Sequence, residues 1–145
     1  MEEYPILAID YGEKHFGLAI SDSKGIIATP LESISITKNR DINSVIQEIL
    51  ETCKENNVKK ILVGRPQIFT DSQMETDRKI SKFISLIEKA TTIPLTTHDE
   101  SFSTTEAQNM LTSSGQKFKS YKSKIDRVAA TVFLQEFLNS NKQEK

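Results

Sequence analysis

The feature that most constrains the fold is a short apolar segment that ends on an acid. Residues 5–10 read Pro-Ile-Leu-Ala-Ile-Asp, and after a turn around Gly12 a second apolar segment covers residues 16–22. Short apolar segments bounded by turn residues predict β-strands. The first strand of this pair therefore carries Asp10 at its carboxyl end.

The middle of the chain alternates helices with strands, after a third strand that ends near Ile36. Apolar residues three and four apart over 42–53 predict a helix, and residues 58–64 predict a buried strand. A polar loop is expected next, before a second helix marked by apolar residues from Ile80 to Ile87. Residues 94–100 predict the last strand.

Two helices are expected in the last third of the chain. A capping box at 103–106 predicts a helix that ends at Gly115, and an apolar stripe over 130–138 predicts a C-terminal helix. A basic loop separates them. Strands first, then helices alternating with strands, indicate an α/β fold in which a hairpin extends a partly parallel sheet.

Length, composition and charge limit the classes of function that the chain can have. The 145 residues, 37% of them hydrophobic, predict one domain over 1–140 and a polar tail at 141–145. A net charge of -1 means that a nucleic-acid partner would need a local basic patch. The single cysteine, Cys53, lies on an apolar helical stripe and is expected in the core. Without a signal peptide or an apolar span, a cytoplasmic location is expected.

Acidic residues from distant segments are expected at one edge of the sheet. Asp10 ends the first strand, Asp99 and Glu100 end the last, and parallel strands would bring these ends together. Asp126 lies four residues before Ala130, which places it on the inner stripe of the C-terminal helix. Buried carboxylates need a partner, and oxygen ligands suit Mg²⁺ or Mn²⁺. The acids therefore predict a divalent metal site.

Each acid also has a structural interpretation. Asp10 could form an Asx-turn, and Asp126 could cap its helix together with Ser123. Asp22 opens a tight turn and is placed outside the site, and His98 is interpreted as a strand or loop residue rather than a ligand. Alternation along the last strand does not decide which of its two terminal acids faces the site.

Four blocks of sequence, in order along nearly the whole chain, resemble the YqgF (RuvX) family of nucleases. The blocks are Asp10–Lys14 with Gly17–Asp22, Ile61–Gly64 with Pro66, Asp99–Ala107, and Lys124–Ala130. The resemblance implies the RNase H-like fold of the Holliday junction resolvase RuvC, with a five-stranded mixed sheet flanked by helices. It also favours Glu100 over Asp99, which gives a nuclease centre of Asp10, Glu100 and Asp126.

The resemblance implies metal-dependent hydrolysis of phosphodiester bonds. Two divalent ions about 4 Å apart can stabilise both the attacking and the leaving oxygen. Asp10 is expected to bridge these Mg²⁺ or Mn²⁺ ions, and Glu100 and Asp126 to hold them. The implied tasks are 5′-end maturation of the 16S ribosomal RNA precursor or, alternatively, resolution of Holliday junctions in branched DNA.

Nucleic-acid contacts are expected from lysines near this centre. Lys14 follows the first acid, and a basic loop with interleaved aromatic residues suits phosphate binding and base stacking. The loop lysines singled out are Lys119, Lys122 and Lys124. His15 and Ser101 stand where the family has arginine, and Arg65 stands where it has leucine. The hypothesis is that Arg65 partly replaces the missing cation.

Two other classes of function share features with this sequence. An ATP-binding module of the actin type would need a second such domain, and the sequence has no G-x-x-x-x-G-K-[ST] phosphate loop. A non-catalytic RNA-binding or ribosome-assembly factor stays open as an alternative. The expected partner is structured RNA such as pre-rRNA, or branched DNA, with no membrane partner. The chain is expected to act as a monomer or a homodimer.

Overall fold

The computed structural model describes residues 3–38, 41–65, 70–99 and 129–140. These ranges contain a sheet and helices on both of its faces. The strands are β1 (Ile6–Asp10), β2 (His15–Ser21), β3 (Ala28–Ser35), β4 (Lys60–Arg65) and β5 (Leu95–Asp99). The helices are α1 (Ile42–Glu55), α2 (Asp71–Ala90) and α3 (residues 129–140).

The five strands form one mixed sheet in the order β3-β2-β1-β4-β5. Strand β1 is parallel to β4, and β4 is parallel to β5, whereas β2 and β3 pair in antiparallel fashion. This confirms the prediction of a hairpin that extends a partly parallel sheet. Because β1, β4 and β5 point the same way, Asp10 and the end of β5 lie at the same sheet edge.

Alternation along β1 divides the core into two layers. Leu7 and Ile9 pack with α1 and α2 on one face, and Ile6 and Ala8 pack with α3 on the other. All four side chains are fully buried. Asp10 continues the alternation of Ile6 and Ala8, so it belongs to the face that α3 covers.

Helix α2 begins earlier than the sequence predicted. The Thr70 hydroxyl accepts a hydrogen bond from the Gln73 amide at 3.2 Å, and the Gln73 side chain accepts one from the Thr70 amide at 3.0 Å. This capping box starts the helix at Asp71. The expectation of a polar loop up to Ile80 is therefore wrong for residues 71–79. Their polar side chains are an exposed helix face.

The structure also tests the predictions for Cys53 and Asp22. Cys53 is 1% exposed in the core, as expected, and the Asp22 carboxylate accepts hydrogen bonds from the Ile26 and Ile27 amides, as a turn residue does. The helix expected over 103–115 lies outside the described residues. Within the described ranges, no helix combines the length and the apolar character that crossing a bilayer requires.

Candidate active site

Asp10 lies in a row of four residues that runs across the sheet at its carboxyl edge. It pairs directly with Gly17 on β2. On the other side, the β1–β4 register pairs Ile9 with Val63, so the next position along β4 is Gly64, and Gly64 pairs with His98 on β5. Residues in one row of a sheet share a face, so all four positions lie on the α3 face.

Neither residue that flanks Asp10 in this row carries a side chain of its own. Side chains of directly paired residues lie about 5 Å apart, so a larger residue at Gly17 would place its side chain beside Asp10. Asp10 itself is half-buried. A half-buried carboxylate at the sheet edge is a candidate ligand for a cation. The family resemblance contains both glycines, but only the register shows that they flank the acid.

The turn after Asp10 depends on a close backbone approach. A Cβ atom at Gly12 would collide with the carbonyl oxygen of His15, so this position requires glycine. The turn exposes Lys14 beside the carboxyl edge. His15, the first residue of β2, has a partner on the neighbouring strand: its ring Nδ1 lies 2.7 Å from the Ser35 hydroxyl and links β2 to β3.

Helix α3 packs across the sheet between the hairpin and the last strand. Gln135 hydrogen-bonds the backbone of Ile26 and Ala28, beside the end of β2 that pairs with the start of β1. Ala130 is fully buried against the sheet.

His98 is a strand residue that packs under α3, as the sequence predicted. Its ring lies 6.0 Å from that of Phe133 and 6.1 Å from that of Phe137, measured between ring centroids. Its Nε2 is 3.3 Å from a carboxylate oxygen of Glu136. These contacts account for the histidine without a role as a ligand, and they attach α3 to the last strand.

Arg65 lies at the carboxyl end of β4 and holds helix α2. Its guanidinium contacts one carboxylate oxygen of Asp77 through Nε at 2.9 Å and Nη2 at 2.8 Å. Nη2 also donates to the hydroxyl of Ser81. The side chains of Arg65 and Asp77 are about one quarter exposed. The arginine thus has a structural partner, and its contact with phosphate stays a prediction.

Tyr11, the residue that follows Asp10, packs against helix α2. Its ring lies 5.2 Å from Phe16 and 5.4 Å from Phe83, and the two phenylalanine rings stack at 5.1 Å. Burial raises the pKa of the Tyr11 hydroxyl above its usual value, although the nearby Lys79 opposes the shift. Lys79 also forms a 2.7 Å ion pair with Glu13. Sequence reasoning missed Tyr11 and Lys79, because their contact joins segments far apart in the chain.

Several predicted site residues lie outside the described part of the chain. They are Glu100, Asp126, Lys119, Lys122 and Lys124. Among the residues that the structure does describe, no three His, Cys, Asp or Glu side chains come together in a way that could hold a metal ion. Of the three acids of the predicted centre, the structure thus describes Asp10, with its glycine neighbours.

Solved structures with the same architecture are resolvases. The chain is similar to RuvC of Thermus thermophilus in complex with Holliday junction substrate, with a TM-score of 0.60, 13% identity and 94% of each chain covered. It is also similar to the fowlpox virus resolvase in complex with Holliday junction DNA, with a TM-score of 0.56, 14% identity, and 95% of this chain and 99% of that one covered. The chain therefore has the RNase H-like fold of this class of enzyme.

Sequence comparison narrows the class to a family. Residues 4–140 match RuvX, described as Holliday junction resolvase, and the chain belongs to this family. A protein of Lachnospira eligens named "Putative pre-16S rRNA nuclease" is 31% identical, covering 95% of this chain and 99% of the relative. A protein of Fusobacterium nucleatum with the same name is 34% identical, covering 94% and 97%. Family and relatives define a nuclease, an enzyme that hydrolyses phosphodiester bonds.

Proposed function

We propose that the protein is a metal-dependent nuclease that processes the 5′ end of the 16S ribosomal RNA precursor, with a centre of Asp10, Glu100 and Asp126. The observation that carries the proposal is the position of Asp10, half-buried between Gly17 and Gly64 at the carboxyl edge of the sheet. The relatives named for pre-16S rRNA support this RNA as the substrate.

Sequence spacing supports the other two acids of the proposed centre. Glu100 has the same parity as His98, whose ring lies on the α3 face that Asp10 shares. Asp126 precedes the buried Ala130 by four residues, a spacing that would put both residues on one face of a helix. Both relationships support these two residues as partners of Asp10.

The donor chemistry fits a divalent cation. The three proposed ligands are all carboxylates, which suit a divalent cation, and the two glycines place no side chain of their own beside Asp10. Strands β1 and β5 are separated by β4, which places their backbones about 10 Å apart. The longer glutamate side chain suits that gap better than Asp99. Asp10, Glu100 and Asp126 would hold Mg²⁺ or Mn²⁺.

The protein's own part in the reaction is to place the substrate and balance charge. A bound divalent ion supplies positive charge beside the attacking water and the leaving oxygen. Lys14, exposed on the turn after Asp10, would contact a backbone phosphate near the scissile bond. Lys119, Lys122 and Lys124 would extend this contact along the RNA, and Arg65 would add a cation at the end of β4 where it leaves Asp77.

Resolution of branched DNA is the second candidate function. It is favoured by the family description and by the two resolvases of similar fold, both solved with Holliday junction DNA. Both activities would use the same centre. The choice between them therefore depends on which substrate shape the surrounding surface accepts.

A cleavage assay with matched variants tests the proposal. A pre-16S 5′-end RNA fragment and a four-way DNA junction are incubated with Mg²⁺, Mn²⁺ or EDTA. We expect Asp10→Asn to lower the rate by roughly 100-fold or more and to weaken Mn²⁺ binding in calorimetry. The control is Asp22→Asn, which keeps the oxygen that caps its turn.

Each outcome of this assay has a definite meaning. Faster cleavage of the RNA supports rRNA processing, and faster cleavage of the junction supports the resolvase. Binding of RNA by the wild type without cleavage under any metal condition would overturn the nuclease proposal in favour of an RNA-binding factor. Unchanged cleavage by Asp10→Asn would remove Asp10 from the centre.

A further inference from the structure

Two cavities with exposed cations lie along α2. One cavity of about 560 Å³ is lined by Asp71, Met74, Glu75, Arg78, Lys79 and Lys82. A second cavity of about 260 Å³ shares Lys79 and Lys82 and reaches Tyr11 and Phe83. The two neighbouring cavities are together called here the α2 groove.

The groove begins one residue from Asp10. Tyr11 forms its inner end, and the Tyr11 ring is held against Phe16 and Phe83. Asp10 belongs to the α3 face of the sheet, whereas Tyr11 packs into the α1–α2 layer. A chain that lies in the groove would therefore reach Asp10 by crossing the carboxyl edge of the sheet.

Two cations of the groove are available to a polyanion. The described lining is mixed in charge, with Arg78, Lys79 and Lys82 beside the carboxylates Asp71 and Glu75. Lys79 is partly neutralised by Glu13. Among the described residues, no carboxylate lies within ion-pair distance of Arg78 or Lys82, and both side chains are exposed. These two cations lie one helical turn apart on the same face.

We propose that the α2 groove binds the sugar-phosphate backbone of the substrate strand as it leaves the centre, with Arg78 and Lys82 as its phosphate contacts. The proposal rests on the proposed nuclease function, because that function places the scissile phosphate at Asp10. It adds a second contact surface to the predicted basic loop. Tyr11, next to Asp10 in the chain, lines the inner end of the groove.

The test measures binding without cleavage. A fluorescein-labelled single-stranded RNA of about 20 nucleotides and a labelled four-way DNA junction are titrated in EDTA at several NaCl concentrations, with fluorescence anisotropy as readout. The test variant is Arg78→Ala with Lys82→Ala. The control is Lys54→Ala with Lys59→Ala, which removes the same charge from exposed positions near the opposite edge of the sheet.

We expect the groove variant to bind about tenfold more weakly at 0.1 M salt. The slope of log affinity against log salt concentration should fall by about two, since each phosphate contact contributes close to one. The control should stay within about threefold of the wild type and keep its slope. Melting temperatures of both variants are measured alongside, and we expect them to match the wild type because the four side chains are exposed.

The groove and the centre can fail separately. Groove-variant affinity and slope equal to those of the wild type, or an equal loss in the control, would overturn the groove proposal while leaving cleavage at Asp10 standing. The Asp10→Asn variant addresses the centre alone, because its cleavage is lost or kept independently of the salt slope. A wild-type protein that binds neither probe would overturn the groove proposal as well.

Discussion

Asp10 on β1 is the direct antiparallel partner of Gly17 on β2, and their shared face is the one that α3 covers. Because glycine has no side chain, this position of β2 contributes none beside the carboxylate. The pairing gives one reason for a glycine in the interior of a strand, where it would otherwise weaken the fold, and Gly17 also lies where the register of β2 and β3 shifts.

Filling this space should remove activity while the protein stays folded. We expect Gly17→Val to lower the cleavage rate by about tenfold or more and to weaken Mn²⁺ binding, because its methyl groups would occupy the space beside Asp10. The measurements are cleavage kinetics and calorimetry. Ala19→Val is the matched control, since Ala19 is on the same strand and face but two pairs farther from the edge. Equal activity losses in both variants would contradict the prediction.

The Arg65–Asp77 contact should contribute modestly to stability. Both side chains are partly exposed, so a double-mutant cycle with Arg65→Leu and Asp77→Asn is expected to give a coupling free energy of about 0.5–1 kcal/mol. Urea unfolding of the four proteins measures it. A coupling free energy near zero would show that the pair does not hold α2 to the end of β4.

Arg65→Leu also tests the predicted phosphate contact of this arginine. If the guanidinium leaves Asp77 to bind phosphate, the salt slope of RNA binding should fall by about one. Unchanged RNA affinity and cleavage would overturn the phosphate role and leave only the structural one.

Sequence periodicity was sufficient for the elements that carry a strong apolar pattern. The alternation around Ile9 and the stripe of α1 led directly to the observed strands and helix, because burial dominates both. The start of α2 was missed because residues 71–79 carry no apolar stripe. The capping box at Thr70 is the signal that marks the start of this helix. The partners of Arg65 and Tyr11 could not be predicted, since side-chain contacts between distant segments leave no periodic signal.

Cys53 should make stability depend on pH in the alkaline range. Burial raises the pKa of its thiol from 9.0 to about 11 in the folded protein. The unfolded chain therefore loses this proton at lower pH than the folded one, so the contribution of Cys53 to stability is complete below pH 9 and falls as the pH rises toward 11. Urea unfolding at pH 8 to 11 should show a steeper loss of stability for the wild type than for Cys53→Ala. Parallel curves would contradict the prediction.

Phe133 should be the main attachment of α3 to the sheet. It is fully buried, it packs with Leu62 and Ala8 in the second core layer, and its ring lies against His98. Replacing a buried phenylalanine with alanine removes its transfer free energy and leaves a cavity, so Phe133→Ala is expected to cost about 3–5 kcal/mol of unfolding free energy.

The control for Phe133→Ala is Ile27→Ala, at a side chain that is 58% exposed, where the change should stay within about 0.5 kcal/mol. Urea unfolding followed by circular dichroism measures both variants. A loss below about 1 kcal/mol for Phe133→Ala would show that α3 does not depend on this contact.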